Sequence, residues 1–336
     1  MAGPLRVGVI GAGAIAQVAH LPMLSRSTEF ELVAIGDNDL SKARALAQRF
    51  DIAEVYDDIE YLLKHARPDV VAVCTPNHLH EVHVKTALAA GAHVLCERPL
   101  ALGTGGVEAV MAAQERADRA VLVGMHDRFR SDVQAVRQFL AGGELGTVHA
   151  VRAEWYTFKP ARQALGWRLQ RAQSGGGAML DLGIGLIDLA LWLLDWPKPC
   201  QVFAHFGPPD RRDAVEDSGI ALVSCEGGTS IAVDVTWRYV GHAERVRFEV
   251  LGSAGSGSIG PLAVFKELNG AAVNVTRTGL SEHASRFNAA YAAQWAHFAA
   301  MIQGDVERAD LHQQVMLHNV MEGIYRSAQE GVLVQL

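Results

Sequence analysis

A turn of small residues near the start of the chain constrains the fold more than any other feature. Gly11, Gly13 and Ala16 follow an apolar, β-branched run, Leu5–Ile10, in the spacing GxGxxA. The first glycine permits a tight turn, the second leaves the backbone open to close approach, and the third small residue lets a helix pack against the strand. The sequence therefore predicts a strand, a tight turn and a helix at the N-terminus.

Strand-like and helix-like segments then alternate as far as Met125. The runs are apolar throughout, as expected for strands buried on both faces, and helix-length amphipathic segments separate them. This rhythm predicts a doubly wound parallel sheet of the Rossmann type, an α/β fold, over residues 1–125. The predicted strands after the first are Glu31–Asp37, Glu54–Tyr56, Asp69–Thr75, His93–Glu97 and Ala120–Met125, and the predicted helices include Ser41–Phe50, His78–Ala90 and Gly106–Asp118.

The pattern changes after Met125 and predicts a second, α+β domain over residues 126–336. Turn signals, including the glycine-rich stretch from Gly252 to Gly257, separate strand-like runs and indicate a large, mostly antiparallel open sheet. The predicted strands are Thr147–Tyr156, Gln201–Phe206, Ile220–Cys225, Thr229–Arg238, Arg245–Leu251, Val264–Leu268 and Ala272–Thr278. The predicted helices are Ser131–Ala141, Ala178–Trp196, Arg286–Ile302 and Leu311–Glu330.

Composition excludes several classes of function. The 336 residues are 49% apolar and 20% charged, and the net charge of −7 gives no basic surface for nucleic acid or an anionic membrane. The longest apolar stretch, Ala178 to Leu194, contains two aspartates and is a poor membrane span. The four cysteines lack CxxC or metal-ligand spacing, so we expect no metal site and a reducing, cytoplasmic location. The N-terminus has a single early Arg6 and an apolar run that glycines interrupt, so we expect no targeting segment.

The N-terminal turn predicts a dinucleotide site. A pyrophosphate at Gly11 and Gly13 would meet the N–H groups and the positive dipole end of the following helix, at Ala14 and Ile15. Asp37 ends the second strand, where a carboxylate accepts hydrogen bonds from ribose hydroxyls and repels a 2′-phosphate. The sequence therefore favours NAD, with NADP less favoured; a turn used only for packing is the alternative.

Further motifs resemble one enzyme family. The motifs lie at the ends of two strands, in a glycine-rich segment with its following helix, and near the C-terminus: Cys74–His80, Cys96–Leu100, Ser174–Gly177 with Asp181, Gly183 and Asp188, and Tyr325–Ala328. In this order they resemble the Gfo/Idh/MocA dehydrogenases, which act mainly on sugars and polyols. The resemblance implies a Rossmann domain and an α/β domain whose open sheet mediates homodimers or homotetramers. It also implies that Thr75, Pro76, Asn77 and His80 line the cofactor, with Glu97 and Arg98 near its nicotinamide end; the alternative is that these are turn and helix-face residues.

Two departures from the family pattern concern proton transfer. The family's usual lysine is replaced by Arg98, and its usual histidine by Gly185. Hydride transfer from an alcohol requires a group that takes the hydroxyl proton, and a guanidinium that stays protonated is a poor base. Arg98 can instead stabilise negative charge on a substrate oxygen. Asp181, which keeps the family position, is therefore the first candidate for base or substrate anchor, and Arg98 and Asp181 are the predicted catalytic residues.

The helix that carries Asp181 is expected to place four residues on one face. Asp181, Gly185, Asp188 and Trp192 recur at i, i+4, i+7 and i+11. The glycines at 183 and 185 suggest room for a substrate, a side chain or a backbone. Asp188 fits a structural or a functional role equally well.

Other polar and aromatic residues are candidates for substrate binding or a proton relay, although each also fits a structural role. The predicted substrate-binding residues are His126, Arg128, Tyr156, Lys159, Trp167, Arg168 and Asp188, with Trp237 and Arg238 at the end of a strand as further candidates.

The leading hypothesis is an NAD-dependent oxidoreductase that acts on a CH–OH group of a small, carbohydrate-like substrate at a variant site. Two alternatives remain open. One is a dinucleotide-binding sensor with little redox activity, and the other is an enzyme that uses tightly bound NAD transiently in a non-oxidative reaction.

Overall fold

The computed structural model describes residues 3–158, 166–207, 215–276 and 283–336, with side chains from residue 287 in the last range. The chain divides into two compact units. The first comprises Met1–His126 and Phe287–Leu311, and the second comprises Asp127–Arg286 and His312–Leu336.

The first unit is built on a six-stranded parallel sheet in the order β3-β2-β1-β4-β5-β6. The strand order reverses between β1 and β4, which is the position where doubly wound folds bind ligands. The core strands are buried along their length, which agrees with their continuous apolar sequences. The strands are β1 Leu5–Ile10, β2 Phe30–Gly36, β3 Glu54–Tyr56, β4 Val70–Val73, β5 His93–Cys96 and β6 Val121–Val123.

Helices connect these strands, and local signals fix where they begin and end. The Asp39 and Asp58 side chains cap two helix N-termini by accepting the N–H groups of Lys42 and Tyr61. The first helix, α1, is a π-helical turn, Ala16–His20, followed by Leu21–Leu24. The other helices are α2 Leu40–Phe50, α3 Ile59–Ala66, α4 Asn77–Ala89 and α5 Thr104–Ala117.

A segment from late in the sequence completes the first unit. Residues 287–311 include most of a long helix, His283–Gln303, whose Trp295 and Phe298 are fully buried in the core beside β1 and β2. The contiguous division expected from sequence, 1–125 and 126–336, differs from the structure in this segment. Its apolar side chains are the reason, because they fill the core of the parallel sheet.

The second unit contains a nine-stranded sheet in the order β14-β13-β12-β11-β7-β10-β9-β8-β15. Its described strand pairs are antiparallel except β7 with β10, which is parallel. Alternate residues of β9 and β10 are buried, so one face of the sheet covers the core. The strands are β7 Val148–Phe158, β8 Pro199–Phe206, β9 Ser218–Cys225, β10 Ser230–Tyr239, β11 Arg245–Gly252, β12 Gly255–Ile259, β13 Ala263–Leu268, β14 Ala271–Asn274 and β15 Val334–Gln335.

One strand of this sheet contradicts the sequence interpretation. The stretch from Gly252 to Gly257 was expected to be a turn, but Gly255–Ile259 forms β12 between β11 and β13. A Cβ at Gly255 would overlap the Phe265 carbonyl, and one at Gly257 would lie 3.1 Å from Val136. These glycines therefore allow close packing within a strand.

The helices of the second unit include one that is almost wholly buried. This helix, α8, is a π-helical turn, Met179–Gly183, followed by Ile184–Leu193. The helical stretch Arg171–Leu193 is long and apolar enough to cross a membrane by length and composition, but 89% of its most apolar part is buried inside the fold. The other helices are α6 Ser131–Ala141, α7 Arg171–Ser174 and α10 His312–Glu330, and the long helix His283–Gln303, most of which belongs to the first unit, is α9.

Candidate active site

The glycine turn of the first unit has the geometry that a dinucleotide requires. Gly11 has a φ of +98°, and a Cβ there would lie 2.5 Å from the Cys74 carbonyl oxygen. At Gly13, by contrast, the nearest atom to an added Cβ is that same oxygen, 3.8 Å away. The space next to Gly13 leaves room for a pyrophosphate. The first N–H groups of the following helix have no partners within the helix and can donate to the phosphate oxygens.

Asp37 is tied directly to this turn. Its Oδ2 accepts the Ala12 N–H at 2.7 Å, and its Oδ1 accepts the Asp39 N–H at 2.8 Å. A carboxylate has about four acceptor positions, so these two bonds leave capacity for ribose hydroxyls. The end of β2 and the glycine turn thus form one cradle that fits the adenosine half of NAD.

His80 holds two strand-end loops together. Its Nδ1 lies 2.6 Å from the Pro99 carbonyl oxygen and its Nε2 lies 2.7 Å from the Thr75 carbonyl oxygen, and the side chain is buried. Thr75 itself contacts His83 Nδ1 through its hydroxyl at 3.0 Å. These contacts join the ends of β4 and β5, where Pro76 and Asn77 begin α4. They favour a positioning role for His80 within the predicted cofactor set.

Glu97, directly after β5, is the centre of a buried polar cluster. Its Oε1 accepts hydrogen bonds from His20 Nε2 at 2.8 Å and from the Tyr291 hydroxyl at 3.3 Å. The Trp295 indole donates to His20 Nδ1 at 3.1 Å, which orients the ring towards Glu97. Burial alone would raise the pKa of Glu97, but the hydrogen bond from His20 and nearby positive charge, including that of Arg98, lower it.

His126 extends this cluster. Its ring stacks on Tyr291 with centroids 4.6 Å apart and meets Phe287 edge-on. Sequence reasoning identified Glu97 and His126 but not His20, Tyr291 or Trp295. For His20 the available signal is a polar residue in the otherwise apolar stretch Ala19–Leu24, whereas nothing in the spacing links Tyr291 to Glu97 across 194 positions.

Asp181 is the centre of a second cluster, in the second unit. Its Oδ2 accepts the Trp237 indole N–H at 3.2 Å, and its Oδ1 lies 3.6 Å from Arg168 Nε. The Arg168 guanidinium lies 4.7 Å from the centroid of the neighbouring Trp167 ring. The Asp181 side chain is 36% exposed, so it is oriented by its partners and still accessible. Three predicted residues, Trp167, Arg168 and Asp181, are therefore brought together.

Asp188 and Arg128 also meet, but they pair with each other. Arg128 donates to both carboxylate oxygens, from Nε at 2.8 Å and from Nη2 at 2.5 Å. Its guanidinium also lies over the Trp192 and Trp196 rings. Asp188 is 1% exposed, and these contacts favour a structural role for the pair.

Asp181 does not share the helix face predicted for it with Asp188 and Trp192. Its partners are Trp237 and Arg168, whereas Asp188 and Trp192 both contact Arg128. The reason is the π-helical turn Met179–Gly183, because its i to i+5 bonding interrupts the 3.6-residue period on which the prediction depended. A Cβ at Gly183 would meet the Met179 thioether sulfur, so a neighbouring side chain occupies that room.

The remaining predicted residues are divided between described and undescribed parts of the chain. The Tyr156 hydroxyl donates to Asp234 Oδ2 at 2.7 Å, and burial together with this carboxylate raises its pKa. Arg238 pairs with Asp217 at 3.1 Å. Lys159 lies outside the described residues. Among the described residues, no group of three or more His, Cys, Asp or Glu side chains could hold a metal ion.

Comparison with known proteins identifies the family. The model of the oxidoreductase family with an NAD-binding Rossmann fold, GFO_IDH_MocA, matches residues 5–125, and that of the GFO/IDH/MocA C-terminal domain matches residues 133–258. D-glucoside 3-dehydrogenase of Escherichia coli is 28% identical over 99% of this chain and 98% of its own. A putative UDP-kanosamine synthase oxidoreductase subunit of Amycolatopsis mediterranei is 30% identical over 76% of this chain and 75% of its own.

Among solved structures, GenD2 from gentamicin A biosynthesis, in complex with NAD, matches with a TM-score of 0.87 and 27% identity over 100% of this chain and 97% of its own. The two family models, the E. coli relative that matches over its whole length, and this fold agree with the motifs at the strand ends. The chain therefore belongs to the Gfo/Idh/MocA family of oxidoreductases, and its first domain is an NAD-binding Rossmann domain.

Proposed function

We propose that the protein is an NAD-dependent dehydrogenase that acts on a ring hydroxyl of a sugar or glycoside, with Asp181 as the group that accepts the hydroxyl proton. The observation that carries the proposal is the cluster of Asp181, Trp237 and Arg168, in which an accessible carboxylate is oriented by one indole hydrogen bond and one nearby guanidinium. A positioned carboxylate of this kind is suited to general base catalysis.

The cofactor and the protein have separate tasks in this reaction. NAD, when bound, supplies the hydride acceptor. The hydrogen on the carbinol carbon leaves as hydride with the bonding electrons, the O–H proton passes to an Asp181 carboxylate oxygen, and a C=O group forms. In the reverse direction, protonated Asp181 returns the proton to the substrate oxygen.

Arg98 has a different proposed role from the lysine that is usual at its position. Because a guanidinium stays protonated, it donates hydrogen bonds to the substrate oxygen and stabilises negative charge there. Gly11, Gly13, Ala14, Ile15 and Asp37 are proposed to bind the adenosine and pyrophosphate portions of NAD. Thr75, Pro76, Asn77 and Glu97, with His80 as a positioning residue, are proposed for the nicotinamide end.

The relatives favour a carbohydrate substrate. The E. coli relative is named as a dehydrogenase of D-glucosides, the A. mediterranei relative as a subunit of a UDP-kanosamine synthase, and GenD2 as part of gentamicin A biosynthesis. Trp167 and Arg168 next to Asp181 are consistent with this class, because an aromatic face and a forked donor suit a sugar ring with several hydroxyls.

The test is a spectrophotometric screen for NADH formation with NAD and a panel of methyl glucosides, free hexoses, inositols and sugar acids. We expect turnover with at least one glucoside, and Asp181→Asn should lower kcat by about 10²- to 10⁴-fold. Glu226→Gln, which changes an exposed acid of the same unit, is the matched control. Tight NAD binding by calorimetry with no turnover across the panel would refute the dehydrogenase and favour a binding protein.

We also propose that the protein is a cytoplasmic homodimer or homotetramer that associates through the open face of the second unit's sheet. Phe203 and Leu222 are paired across β8 and β9 and are both exposed, and Ile220 lies two residues away on the same strand. Light scattering after chromatography should show an oligomer that Leu222→Asp dissociates, and a monomeric wild type would contradict this proposal.

A further inference from the structure

The N-terminus of the helix that carries Asp181 is capped by a residue from a distant segment. Gly177 N–H and Met179 N–H donate to Glu216 Oε1 at 2.9 and 3.1 Å, and Ala178 N–H donates to the Glu216 carbonyl oxygen at 2.9 Å. Helix N–H groups at these positions have no partner within the helix, and the residue before the helix supplies no side-chain cap. Glu216 therefore satisfies all three.

This cap explains two glycines of the Ser174–Gly177 segment. A Cβ at Gly177 would overlap the Glu216 carbonyl oxygen, and a Cβ at Gly176 would overlap the Tyr325 hydroxyl. The Tyr325 hydroxyl in turn donates to Glu216 Oε1 at 2.6 Å. The glycines thus allow the helix terminus to dock directly onto the Glu216–Tyr325 pair.

The next residue, Asp217, holds Trp237, which is the hydrogen-bond donor to Asp181. Its carbonyl oxygen accepts the Trp237 backbone N–H at 2.8 Å, and the Trp237 indole is the donor to Asp181. Asp181 is anchored to the capped turn, because its N–H donates to the Gly177 carbonyl at 2.9 Å. Two consecutive residues, Glu216 and Asp217, therefore fix both sides of the Asp181–Trp237 hydrogen bond.

We propose that Glu216 is a positioning residue that fixes the position of the Asp181 side chain through the helix cap, and that Tyr325 holds the Glu216 carboxyl in place. This inference rests on the proposed role of Asp181 as proton acceptor. Neither Glu216 nor Tyr325 is proposed to contact substrate.

The cap depends on one oxygen of the Glu216 carboxyl. Glu216 is 4% exposed, and its Oε2 has no hydrogen-bond partner among the described residues. Burial raises the pKa of Glu216 and outweighs the hydrogen bonds from Tyr325 and the helix N–H groups, which lower it. Glutamine keeps an accepting Oε1 on a side chain of the same length, so Glu216→Gln should preserve the cap, whereas Glu216→Ala removes it.

The first measurement follows the Trp237 indole N–H by ¹⁵N–¹H NMR of the full chain, with its resonance assigned from Trp237→Phe. Asp181→Asn defines the resonance position that lacks the carboxylate partner. We expect Glu216→Ala and Tyr325→Phe to move the indole resonance towards that position and Glu216→Gln to leave it within the wild-type range. Val202→Ala, a core change in β8, controls for general loss of stability at matched melting temperature.

The second measurement is steady-state kinetics with the glucoside that gives turnover. We expect Glu216→Ala to lower kcat by about 10- to 100-fold with KM nearly unchanged, because a displaced catalytic group affects the chemical step. An unmoved indole resonance in folded Glu216→Ala and Tyr325→Phe, or an equal shift in Val202→Ala, would overturn the positioning role. If Glu216→Ala does not fold, Tyr325→Phe decides alone. Full turnover by Asp181→Asn would instead refute the proposed function, whatever the indole resonance shows.

Discussion

The two glycines of the N-terminal turn should respond in opposite ways to the same substitution. At Gly13 an added Cβ meets nothing closer than the Cys74 carbonyl oxygen at 3.8 Å, and φ is not in the left-handed region. Gly13→Ala should therefore raise the stability of the protein without cofactor by about 0.4–1 kcal/mol, since alanine restricts the unfolded chain. The same methyl group would occupy the space into which a pyrophosphate must come.

Gly11→Ala places its methyl group against the backbone of the next loop. The Cβ would lie 2.5 and 2.6 Å from the Cys74 carbonyl oxygen and carbon, and the φ of +98° disfavours any L side chain. The left-handed backbone costs about 1–2 kcal/mol and the overpacking about 1–3 kcal/mol more, so we expect a loss of about 2–5 kcal/mol.

The loss of NAD affinity in Gly13→Ala can be estimated from one hydrogen bond. A bond to a charged acceptor contributes about 1.5–3 kcal/mol, so its loss should weaken binding by about 10- to 150-fold. NAD at 100 times its wild-type Kd stabilises the wild type by about 2.7 kcal/mol. A variant that binds 100-fold more weakly would gain only about 0.4 kcal/mol at that concentration.

Calorimetric titration with NAD and thermal melts with and without NAD measure both quantities. The expected pattern is a Gly13→Ala protein that melts at or above the wild-type temperature and gains almost nothing from NAD. Wild-type NAD affinity in Gly13→Ala would refute the assignment of this glycine to the pyrophosphate. Wild-type stability in Gly11→Ala would refute the steric argument for the turn.

Three further predictions follow from the clusters described above. Asp37→Ala should weaken NAD binding and relax discrimination against NADP in parallel titrations; unchanged discrimination would show that another residue selects the cofactor. Arg128→Ala should lower the free energy of unfolding by about 3–5 kcal/mol in urea, because it leaves the buried Asp188 unpaired, and a loss below about 1 kcal/mol would contradict that reasoning. The pKa of Glu97 in the folded protein lies below its usual 4.5, so the stability that the ionised carboxylate contributes is present above pH 4.5 and is lost as the pH falls through the folded value. Below pH 4.5 the free energy of unfolding should therefore fall less steeply with decreasing pH in Glu97→Gln than in the wild type, as measured by urea unfolding at a series of pH values.

Local sequence signals predicted most of the first unit. The strands of the parallel sheet, the glycine turn and Asp37 were recognised because each depends on residues close together in sequence. The structure confirms the doubly wound sheet and the large, mostly antiparallel second sheet. The β12 strand was missed because Gly255 and Gly257 read as turn residues, although they are required by packing against Phe265 and Val136.

The composition of the polar clusters could not be predicted from sequence. Tyr291 reaches Glu97, and Glu216 reaches Gly177, only through tertiary folding. The partners of Asp181 were also hidden, because a π-helical turn is not signalled by a hydrophobic period and changes which side chains share a face. The sequence thus predicted which kinds of side chain the site contains, but it did not predict which of them contact one another.

The return of residues 287–311 to the first unit has a consequence for how the protein is made. When Met1–His126 has emerged from the ribosome, every strand of the parallel sheet has been synthesised, but Trp295 and Phe298, which fill its core, have not. The nascent sheet therefore exposes apolar surface around Phe30 and leaves His20 without its indole donor until almost the whole chain has emerged. The unit that begins first in synthesis is consequently completed only after most of the second unit has been made, so its core surface stays uncovered while residues 127–286 are synthesised.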